Sequence, residues 1–296
     1  MKLYAAIEEF ILEQRVRGNS NATVTYYRNI LTYFSEFAGN VDVTELTLQR
    51  CRAYYLYLAE DDINSVSVQS YVRGLRAFLK WLYDMEYIAD NICAKFKLPK
   101  ATRKVIDILT EEEIKLLFDS IPGDTEQAVR NRLIIALMLD CGLRLHEVVS
   151  LTVSSVHLKD RYIIVQQGKG DKQRVVPFGN FTGKLLERYL KLTSKVLPRE
   201  ALIIKVSDIH ISEGITDTTI KQLFRKLKIR SGIQRLKPHL LRHTFATRYL
   251  ENGGNIYSLQ AILGHTSLEM VKRYLHLANT RIRKDFSKYS PLDNLE

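Results

Sequence analysis

The sequence predicts a mainly α-helical protein of two domains that carries one small β-sheet. Apolar residues recur at helical spacing along most of the chain, and two short segments joined by a turn have the pattern of strands. A length of 296 residues is enough for two domains, each with its own core. The 46% content of hydrophobic residues is ordinary for a globular protein. We therefore expect an all-helical first part and an α+β second part.

Residues 1–90 are predicted to form a compact module of four helices. Apolar side chains at helical spacing predict these helices over residues 5–17, 22–37, 48–58 and 66–83. The segment Gly18-Asn19-Ser20 ends the first helix and caps the second. Short connections between such helices are typical of a small helical bundle.

Residues 91–105 are interpreted as a basic linker to a second domain over residues 106–296. The linker contains Lys95, Lys97 and Lys100 and no acidic residue. Such a segment either lies along a phosphate backbone or is a solvated connector, and the sequence leaves both open.

The second domain is predicted to combine helices with a two-stranded hairpin. Thr110 and Glu113 form a capping box ahead of its first helix. The predicted helices cover residues 114–120, 130–141, 183–192, 218–231, 239–252, 256–263 and 268–277, and the strands cover 161–167 and 173–178.

The charge is distributed unevenly between the two parts. Residues 1–100 hold 12 basic and 12 acidic residues, whereas residues 101–296 hold 32 and 21 and so carry the whole net charge of +11. A positive field confined to one part suggests a polyanionic partner such as nucleic acid for that part. A merely basic protein is the alternative.

The three cysteines, Cys51, Cys93 and Cys141, are far apart and odd in number. They fit reduced structural thiols better than disulfides or a zinc site. The chain contains no apolar run of membrane-spanning length and no signal pattern at its start, so we expect a cytoplasmic protein without a membrane partner.

Arg144 and Lys169 begin an ordered set of polar residues suited to binding a phosphate. Arg144 opens a helix after Gly142, and Glu147 lies one turn later, where it can orient the guanidinium. Lys169 is at the tip of the hairpin between two glycines, which let the backbone approach another molecule. Taken singly, such residues are more often a helix-start salt bridge and a solvated turn lysine than phosphate ligands.

His239, Arg242 and His243 share one helix face by their spacing, directly after Pro238 at a helix N-terminus. A helix N-terminus favours an anion. Two histidines one turn apart are also found in metal sites, but no third ligand is evident, so we expect no metal. His265 follows a helix end and is expected to be exposed, and Tyr274 lies on the predicted helix after it.

Five short motifs in register resemble those of the tyrosine recombinase (integrase) family, and the resemblance covers essentially the whole chain. They are Gly142-Leu-Arg-Leu-His-Glu147, the Gly-Lys-Gly hairpin, His239-Leu-Leu-Arg242, Leu263-Gly-His265 and Tyr274-Leu-His276. The resemblance implies that residues 1–90 are a core-binding domain that clamps DNA. It also implies that residues 106–296 are an α+β catalytic domain with a C-terminal tail for subunit docking.

The resemblance also implies a mechanism that needs neither a metal nor another cofactor. Tyr274 attacks a DNA phosphate and forms a 3′-phosphotyrosyl intermediate with a free 5′-hydroxyl. Arg144 and Arg242 bind the non-bridging oxygens, and Lys169 protonates the leaving oxygen. His239 takes the phenol proton, and His265 donates a hydrogen bond to the phosphate. Glu147 and His243 support these groups.

The implied function is site-specific recombination through a Holliday junction, as a Xer-like resolvase or a mobile-element integrase. The implied partner is double-stranded DNA with specific sites, bound in or near the nucleoid by a homotetramer or by a heterotetramer with a second recombinase. A type IB topoisomerase and a non-catalytic DNA-binding regulator on the same fold are the alternatives. The candidate DNA contacts are Arg73, Arg76, Lys80, Lys95, Lys97, Lys100, Lys172 and Arg174. The first three share one helix face, for which a solvated face is an equally good interpretation.

Overall fold

A computed structural model describes residues 1–60, 63–98, 107–167, 172–193, 200–205, 213–265, 267–268, 271 and 274. The chain divides into two compact units, Met1–Lys104 and Val105–Glu296. The described residues form 12 α-helices and three β-strands, which confirms the predicted mainly helical class with a small sheet. Within these residues, no helix combines the length and the apolar character needed to cross a bilayer.

The first unit is built from helices whose apolar faces meet in one core. Its helices are α1 (Leu3–Val16), α2 (Asn21–Ala38), α3 (Leu48–Glu60), α4 (Ser65–Asp84) and the short α5 (Ile92–Lys95). The four predicted helices are present. The side chains of Ser20 and Asn64 cap α2 and α4 by accepting hydrogen bonds from backbone N–H groups of the first turn. Phe10, Phe34 and Phe78 are buried in the shared core.

The prediction that the linker begins at residue 91 is wrong, because the residues of α5 pack into the first unit. Ile92 and Phe96 are each 5% exposed and belong to the core of the first unit, where α5 carries them. The expectation followed the exposed Lys95 and Lys97 and overlooked apolar side chains spaced one helical turn apart. Residues 99–106, including Lys100, lie outside the described residues.

The second unit combines seven helices of its described part with the three-stranded sheet. The helices are α6 (Glu111–Asp119), α7 (Glu126–Leu139), α8 (Leu145–Ser150), α9 (Asn180–Leu192), α10 (Asp217–Ser231), α11 (Pro238–Glu251) and α12 (Ile256–Leu263). Helices α6, α7 and α9 begin three or four residues earlier than predicted, and the first turn of α6, Glu111-Glu112-Glu113, shows no apolar periodicity. Thr110 caps α6, and Thr125 caps α7.

The sheet is antiparallel in the order β1 (Val156–His157), β2 (Tyr162–Gln167) and β3 (Lys172–Pro177). The hairpin of β2 and β3 was predicted, whereas β1 is too short to show a pattern. In the register of the hairpin, Val165 lies opposite Arg174 and Ile163 lies opposite Val176. Alternate side chains of β3 therefore enter the core with those of β2.

Helix α11 contacts α7 on one side and α12 on another. Leu240 and Leu241 are buried in the core of the unit, which fixes the rotation of α11. That rotation decides where Arg242 and His243 lie.

Candidate active site

Arg144 is the N-cap residue of α8 and is oriented by Glu147. Its backbone N–H donates to Glu147 Oε2 at 2.8 Å, and its Nη1 donates to Glu147 Oε1 at 2.8 Å. The predicted contact between these two residues is therefore present. The Arg144 side chain is 27% exposed, so the guanidinium still reaches the surface of the unit.

Glu147 is buried, and two arginines share its carboxylate. Arg174 Nη1 donates to Oε1 at 2.9 Å, and Arg174 Nη2 donates to Oε2 at 2.7 Å. Burial by itself raises the pKa of Glu147, but the hydrogen bonds and charge of Arg174, with the hydrogen bonds of Arg144, lower it to about 2. Glu147 is therefore a fixed anion that holds two guanidiniums in place.

Arg174 does not have the position expected of a phosphate contact. It is 8% exposed, and besides Glu147 its Nε donates to the carbonyl of Ile262 at 2.7 Å. That Arg174 contacts DNA stays a prediction, whereas the described contacts of its guanidinium are made inside the protein. The strand pattern held the signal: Arg174 is two residues from the buried Val176 and thus on the same face of β3.

Arg242 is buried on α11, and its hydrogen bonds connect this helix to Gly142 and to the end of α12. Its Nη1 donates to the carbonyl of Gly142, and its Nη2 donates to the carbonyl of Leu263 at 2.7 Å and to His265 Nε2 at 3.1 Å. Burial, followed by the charge of Arg144, lowers the pKa of Arg242 to about 10, so the guanidinium remains charged near neutral pH. Arg242 Nη1 also lies 4.0 Å from Glu147 Oε2.

Three guanidiniums therefore surround one carboxylate. Arg144, Arg174 and Arg242 all pair with Glu147, and in the described part of the chain no other acidic group forms an ion pair with them. Two positive charges are left in excess at a largely buried place. Such an excess is stabilised when an anion binds.

His265 is 7% exposed, so the expectation that its imidazole is exposed is wrong. The ring follows Gly264, which ends α12 in a left-handed conformation with φ of 63°. Because a guanidinium only donates, His265 Nε2 accepts the hydrogen bond from Arg242. While that bond is present, this nitrogen does not donate to a phosphate.

Tyr274 is 1% exposed, and its phenol contacts His243. The Tyr274 Oη and His243 Nδ1 atoms are 2.6 Å apart. Around the phenol lie Ala246 and Leu250 of α11 and Leu263 of α12 in a small apolar cluster. Most of the helix predicted over residues 268–277 lies outside the described residues.

The sequence interpretation assigned the phenol proton to His239, one turn before His243. His239 is exposed near the start of α11, whereas His243 faces Tyr274. Spacing placed both histidines on one helix face, and only the packing of Tyr274 on α11 distinguishes them.

The structure describes only some of the remaining predicted site residues and DNA contacts. Lys169 and the side chain of Lys172 lie outside the described residues. On α4, Arg73 is exposed and Arg76 is half-buried. Lys80 Nζ forms an ion pair with Asp84 Oδ1 at 2.8 Å, which a DNA phosphate would have to replace. Among the described residues, no group of three or more potential metal ligands occurs.

The sequence of this chain matches two parts of one known family. Residues 107–281 match the Phage integrase family, and residues 2–98 match the Phage integrase SAM-like domain. The chain belongs to the phage integrase family of tyrosine recombinases. The family match covers more than half of the chain and includes every residue of the candidate site, so the resemblance seen in the sequence is confirmed.

Close relatives of this recombinase include two proteins of Oceanobacillus iheyensis. Tyrosine recombinase XerC is 30% identical over 99% of this chain and 98% of its own length. Tyrosine recombinase XerD is 29% identical over 97% and 98%, respectively. The expected enzyme class, a tyrosine site-specific recombinase, is therefore confirmed, and the topoisomerase and regulator alternatives are not favoured.

The fold of this recombinase is shared with solved integrases. A crystal structure of a lambda integrase dimer bound to a COC′ core site has a TM-score of 0.75, covering 93% of this chain and 95% of that chain. Its sequence identity of 18% supports a likeness in fold alone.

Proposed function

We propose that this recombinase cuts and rejoins double-stranded DNA at specific sites, with Tyr274 as nucleophile and Arg144 and Arg242 as the groups that bind the phosphate. The proposal is carried by two excess positive charges around Glu147, beside which the Tyr274 phenol contacts His243, the residue after Arg242 on α11. A phosphate diester supplies the missing negative charge. Its charge grows during attack, which is when fixed guanidiniums stabilise it most.

Lys169 is proposed as the acid that protonates the leaving 5′ oxygen, because in the sequence it lies between β2 and β3, the strand that holds Arg174. His265 is proposed to support Arg242, to which its ring is hydrogen-bonded. The phenol is buried in this structure, so attack requires that DNA binding expose it.

The first unit is proposed to clamp the DNA, with Arg73, Arg76 and Lys80 facing a groove. Residues after Tyr274 are proposed to dock on a neighbouring subunit, which gives a homotetramer on paired sites or a heterotetramer with a second recombinase. A Xer-like resolvase acting on nucleoid DNA is the first candidate role, because two relatives are named XerC and XerD, and a mobile-element integrase is the second.

The test begins with a site, selected by binding of the full chain to a randomised duplex library. The selected sequence is then built into a nicked duplex that traps the cleaved strand. We expect a covalent protein–DNA adduct with the native chain and none with Tyr274→Phe, which retains binding because affinity is shared among many phosphate contacts. Cleavage by Tyr274→Phe contradicts the assigned nucleophile, and failure to select any sequence contradicts site specificity.

A further inference from the structure

Arg174 is a buried cation to which the proposed mechanism assigns no step. Its Nη1 and Nη2 donate to the two carboxylate oxygens of Glu147 at 2.9 Å and 2.7 Å, and its Nε donates to the carbonyl of Ile262 at 2.7 Å. Burying such an ion pair costs solvation free energy that an apolar pair of similar volume would not cost. A role in the site therefore explains the pair better than stability alone.

The carboxylate that Arg174 occupies is also the partner of a phosphate-binding group. Glu147 Oε1 accepts from Arg144 Nη1 at 2.8 Å, and Glu147 Oε2 lies 4.0 Å from Arg242 Nη1. Because Arg174 holds both oxygens in a fork, Arg144 uses one guanidinium nitrogen on the carboxylate among the described contacts. Since Arg144 is partly exposed, its remaining N–H groups are placed to bind a phosphate.

Arg174 also offsets the charge of Glu147. With Arg174 present, three guanidiniums and one carboxylate leave two positive charges in excess. Without it the excess falls to one, and the carboxylate attracts Arg144 and Arg242 away from an incoming phosphate. A phosphate diester carries one negative charge, and a second develops when a phenolate attacks it. Two excess positive charges therefore match the charge of the transition state.

The third hydrogen bond of Arg174 connects it to the second phosphate-binding group. Strand β3, which carries Arg174, packs on α12. At the end of α12, the Ile262 carbonyl accepts from Arg174. The next carbonyl, that of Leu263, accepts from Arg242 Nη2 at 2.7 Å. Two adjacent carbonyls thus fix the position of Arg242 relative to Arg174.

We propose that Arg174 is a positioning residue for strand cleavage: by occupying the Glu147 carboxylate, it keeps the other two guanidiniums available to the scissile phosphate. This inference rests on the proposed function, in which Arg144 and Arg242 bind that phosphate. Arg174 acts through these two residues and does not itself contact the DNA.

The rival role is a direct contact between Arg174 and a DNA phosphate. The two roles differ in what they change. A direct contact releases counterions from the DNA, so its loss weakens binding and reduces the salt dependence of affinity. A positioning residue changes the rate of cleavage and leaves the salt dependence of binding as it is.

The experiment compares Arg174→Gln, Arg174→Lys and the double variant Glu147→Gln/Arg174→Gln in the full chain. Gln keeps a polar side chain at each position and removes its charge, whereas Lys keeps the charge of Arg174 and loses the fork. Arg188→Gln is the matched control, because Arg188 belongs to the same unit and pairs with the exposed Asp124 at the surface. Circular dichroism verifies the fold of each variant.

Two quantities are measured for each variant. The first is the single-turnover rate of adduct formation on the nicked duplex at saturating protein. The second is the affinity for the same duplex at several salt concentrations, determined with Tyr274→Phe also present so that no cleavage interferes.

We expect Arg174→Gln to cleave about 10² times more slowly than the native chain, as misplacement of a group that binds the transition state predicts. Its salt dependence of binding should be native, and Arg188→Gln should be native in both measurements. Arg174→Lys should lie between the two. Adding Glu147→Gln to Arg174→Gln should restore about tenfold in rate, because the unbalanced carboxylate is then gone. A merely structural role predicts no such rescue.

Three results overturn the proposal. They are a folded Arg174→Gln that cleaves at the native rate, a salt slope reduced by about one in that variant, or a double variant no faster than Arg174→Gln. The native chain forms the adduct in each of these cases. If it forms none, the proposed function has failed instead.

The double variant also decides the question by itself if Arg174→Gln does not fold, because it leaves neither charge of the pair buried alone. It should cleave within about tenfold of the native rate, and a loss of about 10²-fold or more would overturn the proposal.

Discussion

Arg174 and Glu147 form a buried bidentate ion pair that connects the hairpin to the helix start carrying Arg144. The two hydrogen bonds are 2.9 Å and 2.7 Å long, and the Arg174 Nε bond to the Ile262 carbonyl, at 2.7 Å, extends the link to the end of α12. Arg174 thus sets the positions of three segments of the active site.

Replacement of Arg174 by Ala is expected to destabilise the second unit by about 3–5 kcal/mol, because it removes one partner of a buried ion pair. Arg174→Lys keeps the charge but loses the bidentate geometry, so its cost should be intermediate. Urea unfolding followed by far-ultraviolet circular dichroism measures the change. The emission of Trp81, the single tryptophan, reports on the first unit and should keep its midpoint.

The exposed Arg73 provides the control for that measurement. Arg73→Ala should change stability by no more than about 0.5 kcal/mol, as is usual for surface substitutions. An Arg174→Ala protein as stable as Arg73→Ala would show that the buried pair contributes little to folding.

The lowered pKa of Glu147 predicts that the folded protein loses stability in acid. Its pKa is lowered from 4.5 to about 2 in the folded protein, so the unfolded chain binds the proton more readily. The stabilisation is present above about pH 4.5 and is lost as the pH falls towards 2, with a total of roughly 3 kcal/mol. Glu147→Gln should be less stable near neutral pH. Between about pH 7 and pH 3 it should lose roughly 2 kcal/mol less than the native chain. Parallel pH profiles from urea unfolding of the two proteins would contradict this account.

Position 142 requires glycine for two reasons, the left-handed backbone conformation and the lack of space for a Cβ atom. Its φ is 64°, and an added Cβ would lie 2.4 Å from Cδ1 of Phe245. Gly232 has a similar φ of 72° with no atom within 4 Å of an added Cβ, which makes it a matched control. Gly232→Ala should cost about 1 kcal/mol for the backbone alone.

Gly142→Ala should cost about 1–3 kcal/mol more than Gly232→Ala, because a packed ring has to move. It should also slow cleavage, since the Gly142 carbonyl accepts a hydrogen bond from Arg242. Unfolding in urea and adduct formation on the nicked duplex measure the two effects. Equal costs for the two substitutions would mean that Phe245 moves aside freely.

Periodicity and caps were sufficient to predict the four long helices of the first unit, α1 to α4. They failed at α5, where four helical residues are too few to display a period and the exposed lysines dominated the interpretation. In the second unit they identified β2, β3 and α12, but not β1, which has two residues. Short elements such as α5 and β1 are stabilised mainly by tertiary contacts, so the local sequence does not predict them.

The sequence by itself determined the family, the fold class and the ordered set of polar residues, because residue types at fixed spacings encode local structure and chemistry. It also determined that Arg144 and Glu147 meet, since they are one helical turn apart. Only the tertiary structure decided that Arg174 turns inward to Glu147, that His265 is buried against Arg242, and that His243 contacts Tyr274. These partners are distant in sequence, and their contacts depend on how strands and helices pack, which no local spacing specifies.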